Sequence, residues 1–271
     1  MTILVTGSTG LVGSRLLKRL VAGGVECRAL VRAGKELFTS MVPVEGDVLD
    51  PASLARAVDG VSAIVHLAAA FRTPDTDLIW NVNLEGTRNL ISAAKAHAPD
   101  ARFIMASTIL VYNPDSPRPG REDDAVDPKM AYPASKVAAE KELRESGLNW
   151  SILRFAFVYG DKDGHLESLP RFVDVMKWHP ANRLSLIHHQ DIATAVTLAL
   201  TGAMDGRIVN LVDEAPTSMY ELVELVGATM VPSSRPLENP WSGHADGSLA
   251  RSLGFQPKIA TIYQAKREGA L

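Results

Sequence analysis

The chain holds one cysteine, Cys27, in 271 residues, so no disulfide can form within it. The cysteine falls in an apolar run that reads as a buried strand, where a packing role suits it, and a reducing, cytoplasmic setting fits. No apolar stretch approaches the roughly 20 residues that a membrane span requires, and the first strand starts at Thr2 with no charged and apolar leader before it. Excess charge is also lacking: 28 Lys and Arg stand against 31 Asp and Glu, a net charge of −3. Neither a basic field for nucleic acid nor a run of like charges for a membrane surface is present, and the expected partner is a small molecule. Metal-ligand spacing is missing as well. His188 and His189 are adjacent and diverge in either a strand or a helix, His165 and His179 stand apart from them, and no metal site is expected.

What the chain has is alternation. Short apolar runs at Ile3-Val5, Arg28-Val31, Ala63-Leu67, Phe103-Ala106 and Ser151-Leu153 are separated by longer segments of helical spacing. Between Leu11 and Val21 the apolar positions Val12, Leu16, Leu17, Leu20 and Val21 keep that spacing, and Gly23-Gly24 ends it. Further helices are expected at about 51–59, 76–97, 131–146, 190–201 and 217–228, with Pro51 suited to a first helical turn. Such a pattern predicts an α/β fold with a parallel sheet covered on both faces. After about residue 155 prolines interrupt shorter elements. The expected organisation is a dinucleotide-binding domain over 1–160 and a mainly substrate-binding lobe over 161–271, interleaved with the last sheet strands at about 183–210.

The first strand runs into Thr6-Gly7-Ser8-Thr9-Gly10-Leu11-Val12-Gly13, three glycines where a strand turns into a helix. A pyrophosphate needs close backbone approach and the free N–H groups of a helix N-terminus, which Thr9, Gly10, Leu11 and Val12 would offer. A side chain at Gly7 or Gly10 would obstruct it, and Gly13 would let the helix lie close to the sheet. Nineteen residues past Gly13, at the end of the second strand, stands Arg32, where an acid would bind the ribose hydroxyls of NAD. A guanidinium there favours the 2′-phosphate of NADP, leaving NAD as the lesser option. Asp47 after the third strand suits the adenine amino group, with Val48 against the ring, although an aspartate in a turn reads equally well as a turn former. The short stretch 33–42 lacks room for a full crossover helix.

Tyr132-Pro133-Ala134-Ser135-Lys136 places a phenol and an ammonium four residues apart, on one face of a helix. The ammonium should draw the phenol down from about 10, making proton transfer feasible near neutrality.

With Gly7/Gly10/Gly13, Thr108 and Tyr132/Lys136 in this order, the chain resembles the short-chain dehydrogenase/reductase superfamily, and specifically its extended branch of NAD-dependent epimerase/dehydratase proteins. The resemblance extends to His66-Leu67-Ala68-Ala69, Asn83-Leu84-Glu85-Gly86-Thr87, Arg154-Phe155-Ala156-Phe157-Val158-Tyr159-Gly160, Asp191-Ile192-Ala193 and Asn210-Leu211. It implies a Rossmann-type doubly wound sheet of about seven parallel strands with a small C-terminal lobe. It also implies that Tyr132 is the general acid/base, that Lys136 tunes it and binds the nicotinamide ribose, and that Thr108, with Ser107 the adjacent alternative, hydrogen-bonds the reacting oxygen. Leu67, Ala68, Ala69 and Phe155 would flank the cofactor, Asn83 would support the helix and the proton route, and a homodimer would form through helices that include the one bearing Tyr132.

Departures from the family pattern narrow the activity. Sugar-nucleotide dehydratases carry Asp-Glu directly after the catalytic threonine, where this chain has Ile109-Leu110, and many sugar-nucleotide enzymes carry asparagine where it has Ala156. The expected activity is an NAD(P)-dependent oxidoreductase acting on a less polar ketone, aldehyde or alcohol. The alternatives are a sugar-nucleotide epimerase with tightly bound NAD and, from another class, a non-catalytic NAD(P)-binding sensor or scaffold. Tyr159, Phe157, Arg171, Trp178 and His179 are candidates for the pocket wall, and His66 reads as a hydrogen-bonded core histidine.

Overall fold

The computed structural model describes residues 1–35 and 43–271. Along the chain come β1 (Thr2–Thr6), α1 (Leu11–Ala22), β2 (Glu26–Val31), β3 (Pro43–Glu45), α2 (Pro51–Val58), β4 (Ala63–His66) and α3 (Thr76–Trp80). A π-helical turn, Asn81–Glu85, joins α3 to α4 (Gly86–His97) in one continuous helical path, followed by β5 (Arg102–Thr108) and a 3₁₀ turn at Ile109–Val111. The second half holds α5 (Ala131–Arg144), β6 (Trp150–Phe155), β7 (Phe157–Tyr159), α6 (Leu169–Met176), β8 (Arg183–Leu184), β9 (Leu186–His188), α7 (His189–Leu200) and β10 (Arg207–Leu211). It ends with β11 (Thr217–Ser218), α8 (Met219–Leu225), α9 (Ser248–Ser252) and α10 (Ile262–Glu268).

Seven strands form one parallel sheet in the order β10-β6-β5-β4-β1-β2-β3. The sevenfold parallel Rossmann-type sheet expected from the sequence is therefore present. Because strand side chains alternate in direction, consecutive residues feed two separate cores. Ile3, Val5, Val65, Ile104 and Leu153 pack with Leu16, Leu17 and Leu20 of α1 and Ile192 and Val196 of α7. Leu4, Ile64, Phe103, Met105 and Ile152 pack on the other face with Leu54 of α2, Leu90 of α4 and Leu143 of α5. The strand order reverses between β1 and β4, and in such sheets the carboxyl ends of the strands at this reversal are the usual ligand position.

The expected helices at 51–59, 76–97, 131–146 and 190–201 are found within two residues at each end, and Pro51 occupies the first position of α2 after the Asp50 cap. The fifth is shorter, because Ser218 and Glu221 form a reciprocal capping box that starts α8 at Met219. Of the stretch 33–42, residues 36–42 lie outside the described residues, so the expectation of a missing crossover helix concerns a segment about which nothing is stated. Cys27 is buried in β2. A third apolar cluster gathers Tyr159, Leu166, Leu169, Leu186, Leu222 and Ile262 beside the two-stranded pairs β7-β9 and β8-β11. Tyr159 is fully enclosed in it, which removes this residue from the pocket-lining candidates.

A buried polar path ties the sheet to α5 and the C-terminal part. Glu140 on α5 accepts from Arg154 Nε at 3.0 Å and Nη2 at 2.6 Å, and from Ser107 Oγ at 2.5 Å. Arg154 donates to Tyr112 Oη at 3.0 Å, which donates to Asn210 Oδ1 at 2.7 Å. Both ionic side chains are almost wholly buried, with 3% and 4% of their surface exposed. Removing one partner would strand a charge away from water, a cost of about 3–5 kcal/mol. The Glu140→Ala variant is expected to lose stability on that scale in urea unfolding; a loss below about 1 kcal/mol would show that water already screens the pair.

Candidate active site

The three glycines of the turn after β1 divide their work. Gly7 has φ +66°, and a Cβ there would lie 2.7 Å from the backbone of Leu67 and of Ala68, so the turn rests directly on the end of β4. A Cβ on Gly13 would stand 2.1 Å from the Gly7 carbonyl oxygen, so this residue brings α1 against the turn more than against the sheet. Gly10 meets only that same oxygen, at 3.1 Å, and forms the N-terminal boundary of α1 with no side-chain cap and no acid in the first turn. The Gly10 N–H is spent on the Gly7 carbonyl at 2.9 Å, whereas no side chain caps the N–H groups of the first turn that follows, and Thr9, Gly10 and Leu11 are exposed with Val12 half-buried. A pyrophosphate fits this arrangement by charge and by the room that glycine leaves.

Arg32 is exposed immediately after β2. Arg28, by contrast, donates to the carbonyls of Ala57 at 3.4 Å and Asp59 at 2.6 Å and so closes the end of α2. Asp47 is half-buried in a turn, its Oδ1 accepting from Leu49 N at 2.9 Å while its own N–H donates to Ser53 Oγ at 3.1 Å. Val48 is buried against Gly86 of α4, where a Cβ would approach to 2.7 Å.

Beneath the glycine turn, His66 holds three segments together. Its Nδ1 lies 2.7 Å from Thr6 Oγ1 and its Nε2 3.0 Å from Thr87 Oγ1. The Thr87 hydroxyl donates to Asn83 O at 2.6 Å, so it must accept from Nε2–H, and the neutral Nε2–H tautomer follows. Thr6 then donates to Nδ1 while its oxygen accepts from the N–H groups of Leu67 and Ala68, each at 3.2 Å. Complete burial, and secondarily the Lys136 ammonium, push the imidazole down to about 3. The core-histidine reading is the one the geometry supports.

Asn83 sits, fully buried, in the π-turn, a local irregularity often found at functional sites. Its Oδ1 accepts from Ala70 N at 2.8 Å, and its Nδ2 donates to Ala70 O at 3.1 Å and to Ser135 Oγ at 3.0 Å. Ser135 in turn donates to Tyr132 O at 2.8 Å. The loop of Leu67, Ala68, Ala69 and Ala70 is thus fastened to the first turn of α5, Asn83 holding the loop by the Ala70 backbone and the helix through the Ser135 hydroxyl.

Tyr132 and Lys136 stand one turn apart at the start of α5, Lys136 buried and Tyr132 half-buried with its ring 4.2 Å from that of Phe71. Burial pushes the phenol up to about 12 and the lysine down to about 8, the latter opposed by Glu140. The phenol drawn toward neutrality that the sequence suggested is not what this environment produces. Loss of hydration penalises the phenolate, and burial is the cause of the upward shift. Thr108 ends β5 directly beside Phe155 of β6, nearly buried, and its Oγ1 accepts from Leu110 N at 3.2 Å. Ser107 is committed to Glu140, which leaves Thr108 as the hydroxyl at the strand end.

Ile109 is core, whereas Leu110 is exposed, as are Met130 and Phe71 beside Tyr132. His188 caps α7 by accepting from Gln190 N, and His189 meets Asp163 at 2.7 Å, so the adjacent histidines serve different partners. His179 contacts the carbonyl of Arg235, Arg171 is exposed, and Trp178 packs on the third apolar cluster, while Phe157 stacks on His165 at 4.1 Å. Sequence reasoning missed Ser135, Thr87 and Thr6 as supports, Phe71 as the neighbour of Tyr132 and Arg72 as the cation against Phe71. Ser135 and Thr87 do lie within the recognised stretches, Thr87 one helical turn after Asn83.

Sheet order, glycine turn and the Tyr132/Lys136 helix together define a Rossmann-type fold built to hold a dinucleotide. The profile of the NAD dependent epimerase/dehydratase family matches residues 3–211, and the chain belongs to that family. It is 28% identical over 285 residues to a 4-hydroxy-2-methyl-3-oxo-4-farnesyl-3,4-dihydroquinoline-1-oxide ketoreductase of Stigmatella aurantiaca, covering 97% of this chain and 84% of the relative. Identity is 27% over 279 residues, 96% and 83% of the respective chains, to an N-acetyl-alpha-D-glucosaminyl-diphospho-ditrans,octacis-undecaprenol 4-epimerase of Escherichia coli O157:H7. Among solved structures, a short-chain dehydrogenase/reductase superfamily protein of Agrobacterium tumefaciens with bound NAD superimposes with a TM-score of 0.82 at 25% identity, covering 99% of this chain and 95% of the other.

Because folding lowers the proton affinity of His66, the unfolded chain takes up a proton near pH 6.5 that the folded one refuses until about pH 3. Its contribution to stability is complete above pH 6.5 and is lost on acidification through that window, at about 1.4 kcal/mol per pH unit. Unfolding free energies of wild type and His66→Gln, measured from pH 7 to 4, should converge on acidification; parallel curves would contradict a neutral, buried His66.

Proposed function

We propose that the chain is an NADP-dependent oxidoreductase that moves hydride between a nicotinamide and the carbonyl or alcohol carbon of a small, largely apolar substrate. The observation that carries this reading is the Tyr132/Lys136 pair, joined through Ser135 and Asn83 to the loop at the end of β4 on which the glycine turn rests. A nicotinamide bound there would supply or accept the hydride. Held up at about 12, Tyr132 keeps its proton throughout the neutral range and can give it to a carbonyl oxygen as that oxygen gains charge. Lys136, at about 8, is mostly a cation at pH 7 and stabilises the phenolate left behind. Thr108, whose oxygen already accepts from Leu110 N, retains its O–H to polarise the substrate. Asn83 positions the loop and the helix.

Leu110, Met130 and Phe71 give the surroundings of Tyr132 and Thr108 an apolar, exposed rim, which supports a ketone or aldehyde of low polarity. Arg32, exposed at the end of β2, supports NADP over NAD. The relationship to the Escherichia coli epimerase favours a second reading, a sugar-nucleotide epimerase that retains NAD; the apolar Leu110 and Ala156 speak against it. Retention of cofactor through purification with no net use of NADPH would decide for the epimerase. The family resemblance further supports a cytoplasmic homodimer assembled through α5, in which residues 1–160 serve the cofactor and 161–271 mainly the substrate.

In a ketone panel with NADPH, Tyr132→Phe is expected to lower kcat/KM by at least about 100-fold. Undiminished turnover would remove the mechanism. The Arg32→Asp variant should reduce the preference for NADPH over NADH by about tenfold or more, since it replaces a partner of the 2′-phosphate by a repelling charge. An unchanged cofactor ratio would show that Arg32 is a solvated side chain.

A further inference from the structure

Arg72 combines four features that the supports of the site do not explain. Its backbone is in the left-handed region at φ 59°, a conformation that non-glycine residues adopt only under local constraint. That constraint is visible two residues earlier, where Asn83 binds both backbone groups of Ala70. The guanidinium carbon lies 5.4 Å from the centre of the Phe71 ring and 4.9 Å from that of Phe172, between the loop after β4 and helix α6. Phe71 is the ring that stacks on Tyr132, so the charge stands one ring away from the phenol.

The fourth feature is the lack of a counter-charge. Among the described residues no carboxylate forms an ion pair with Arg72; other exposed arginines such as Arg171 and Arg207 share this, but Arg72 also has its guanidinium held against two aromatic rings. Its polar contact is Nε2 of His165. Burial and the neighbouring guanidinium hold that imidazole down at about 4, so it is neutral at pH 7. Asp163 is the nearest acid, but its oxygens are taken by His165 N at 2.8 Å and by His189 Nε2 at 2.7 Å. A guanidinium flanked by aromatic faces presents its remaining N–H groups as a planar fork, suited to a carboxylate or phosphate.

We infer that Arg72 is a specificity-determining residue that binds an anionic group of the substrate, a carboxylate or a phosphate carried on an apolar or aromatic frame, while the carbonyl faces Tyr132. This rests on the oxidoreductase reading and refines its substrate: the frame about the carbonyl stays apolar, and a charge is added at its far end. Phe71 and Phe172 would pack on the frame, and the charge would hold the far end.

The test compares 3-benzoylpropionate, its uncharged methyl ester and phenacyl phosphate, using the NADP-loaded protein for calorimetric binding and NADPH for turnover. Wild type is expected to bind at least one anion about tenfold or more tightly than the ester, and the arm that wins identifies carboxylate or phosphate. In Arg72→Met the ratio should fall to near one, and in turnover the loss should appear in KM more than in kcat. Equal affinity for anions and ester in wild type, no detectable binding of either anion, or a preference that survives in Arg72→Met overturns the assignment. The wild-type comparison needs no variant, so poor folding of Arg72→Met leaves the idea open to refutation. Reduction of neutral ketones without any advantage for the anions would sink Arg72 alone. An Arg72-dependent preference in binding with no ketone reduced would sink the oxidoreductase reading alone.

Discussion

The backbone of the glycine turn lies so close to the end of β4 that no side chain fits between them, and the site is organised around this contact. Gly7 can rest on Leu67 and Ala68 because it has no Cβ and adopts positive φ. Gly13 then lets α1 close on the turn from the other side. The ladder between β1 and β4 sets the spacing of the two strands where the sheet order reverses, and the uncapped start of α1 follows directly after the glycine turn at their carboxyl ends. Moving either glycine toward a larger residue would displace the loop that also carries Ala69, Ala70, Phe71 and Arg72.

Around that contact the polar groups are consumed in pairs. Thr6, His66, Thr87 and Asn83 satisfy one another in a chain in which each hydroxyl donates once and accepts at least once. Such a buried network is favourable only when complete, which explains why a neutral histidine, capable of one donation and one acceptance, stands at its centre. The ionic path through Ser107, Glu140, Arg154, Tyr112 and Asn210 does similar work on the other side of α5. Between the two networks, burial shifts Tyr132 and Lys136 in opposite directions, the lysine's fall being opposed by Glu140. At neutral pH the phenol therefore keeps its proton and the lysine remains mostly a cation, although each is held away from its ordinary value by burial.

Much of this was legible from local spacing. Strand and helix alternation, the glycine turn, Pro51 at the start of α2 and the four-residue step from Tyr132 to Lys136 are short-range patterns, and backbone geometry converts them directly into elements and faces. The helical path over 76–97 was legible too, but its π-turn at Asn83 was not, since the irregularity arises from side-chain bonds to Ala70 and Ser135 rather than from propensity. Likewise the preference for Thr108 over its neighbour Ser107 rests in the sequence on family position alone, and the physical difference is the commitment of Ser107 to Glu140 on the opposite helix.

By itself the sequence determined the class of fold, the glycine turn between β1 and α1 and the placing of Tyr132 and Lys136 one turn apart on a helix, because each depends on residues within a few positions of one another. Tertiary structure decided the tautomer of His66, the direction of the Tyr132 shift, the enclosure of Tyr159 and the position of Arg72 between two aromatic rings. The physical reason is burial: hydration, charge and hydrogen-bond supply at a buried atom are set by groups distant in the chain that only folding brings near.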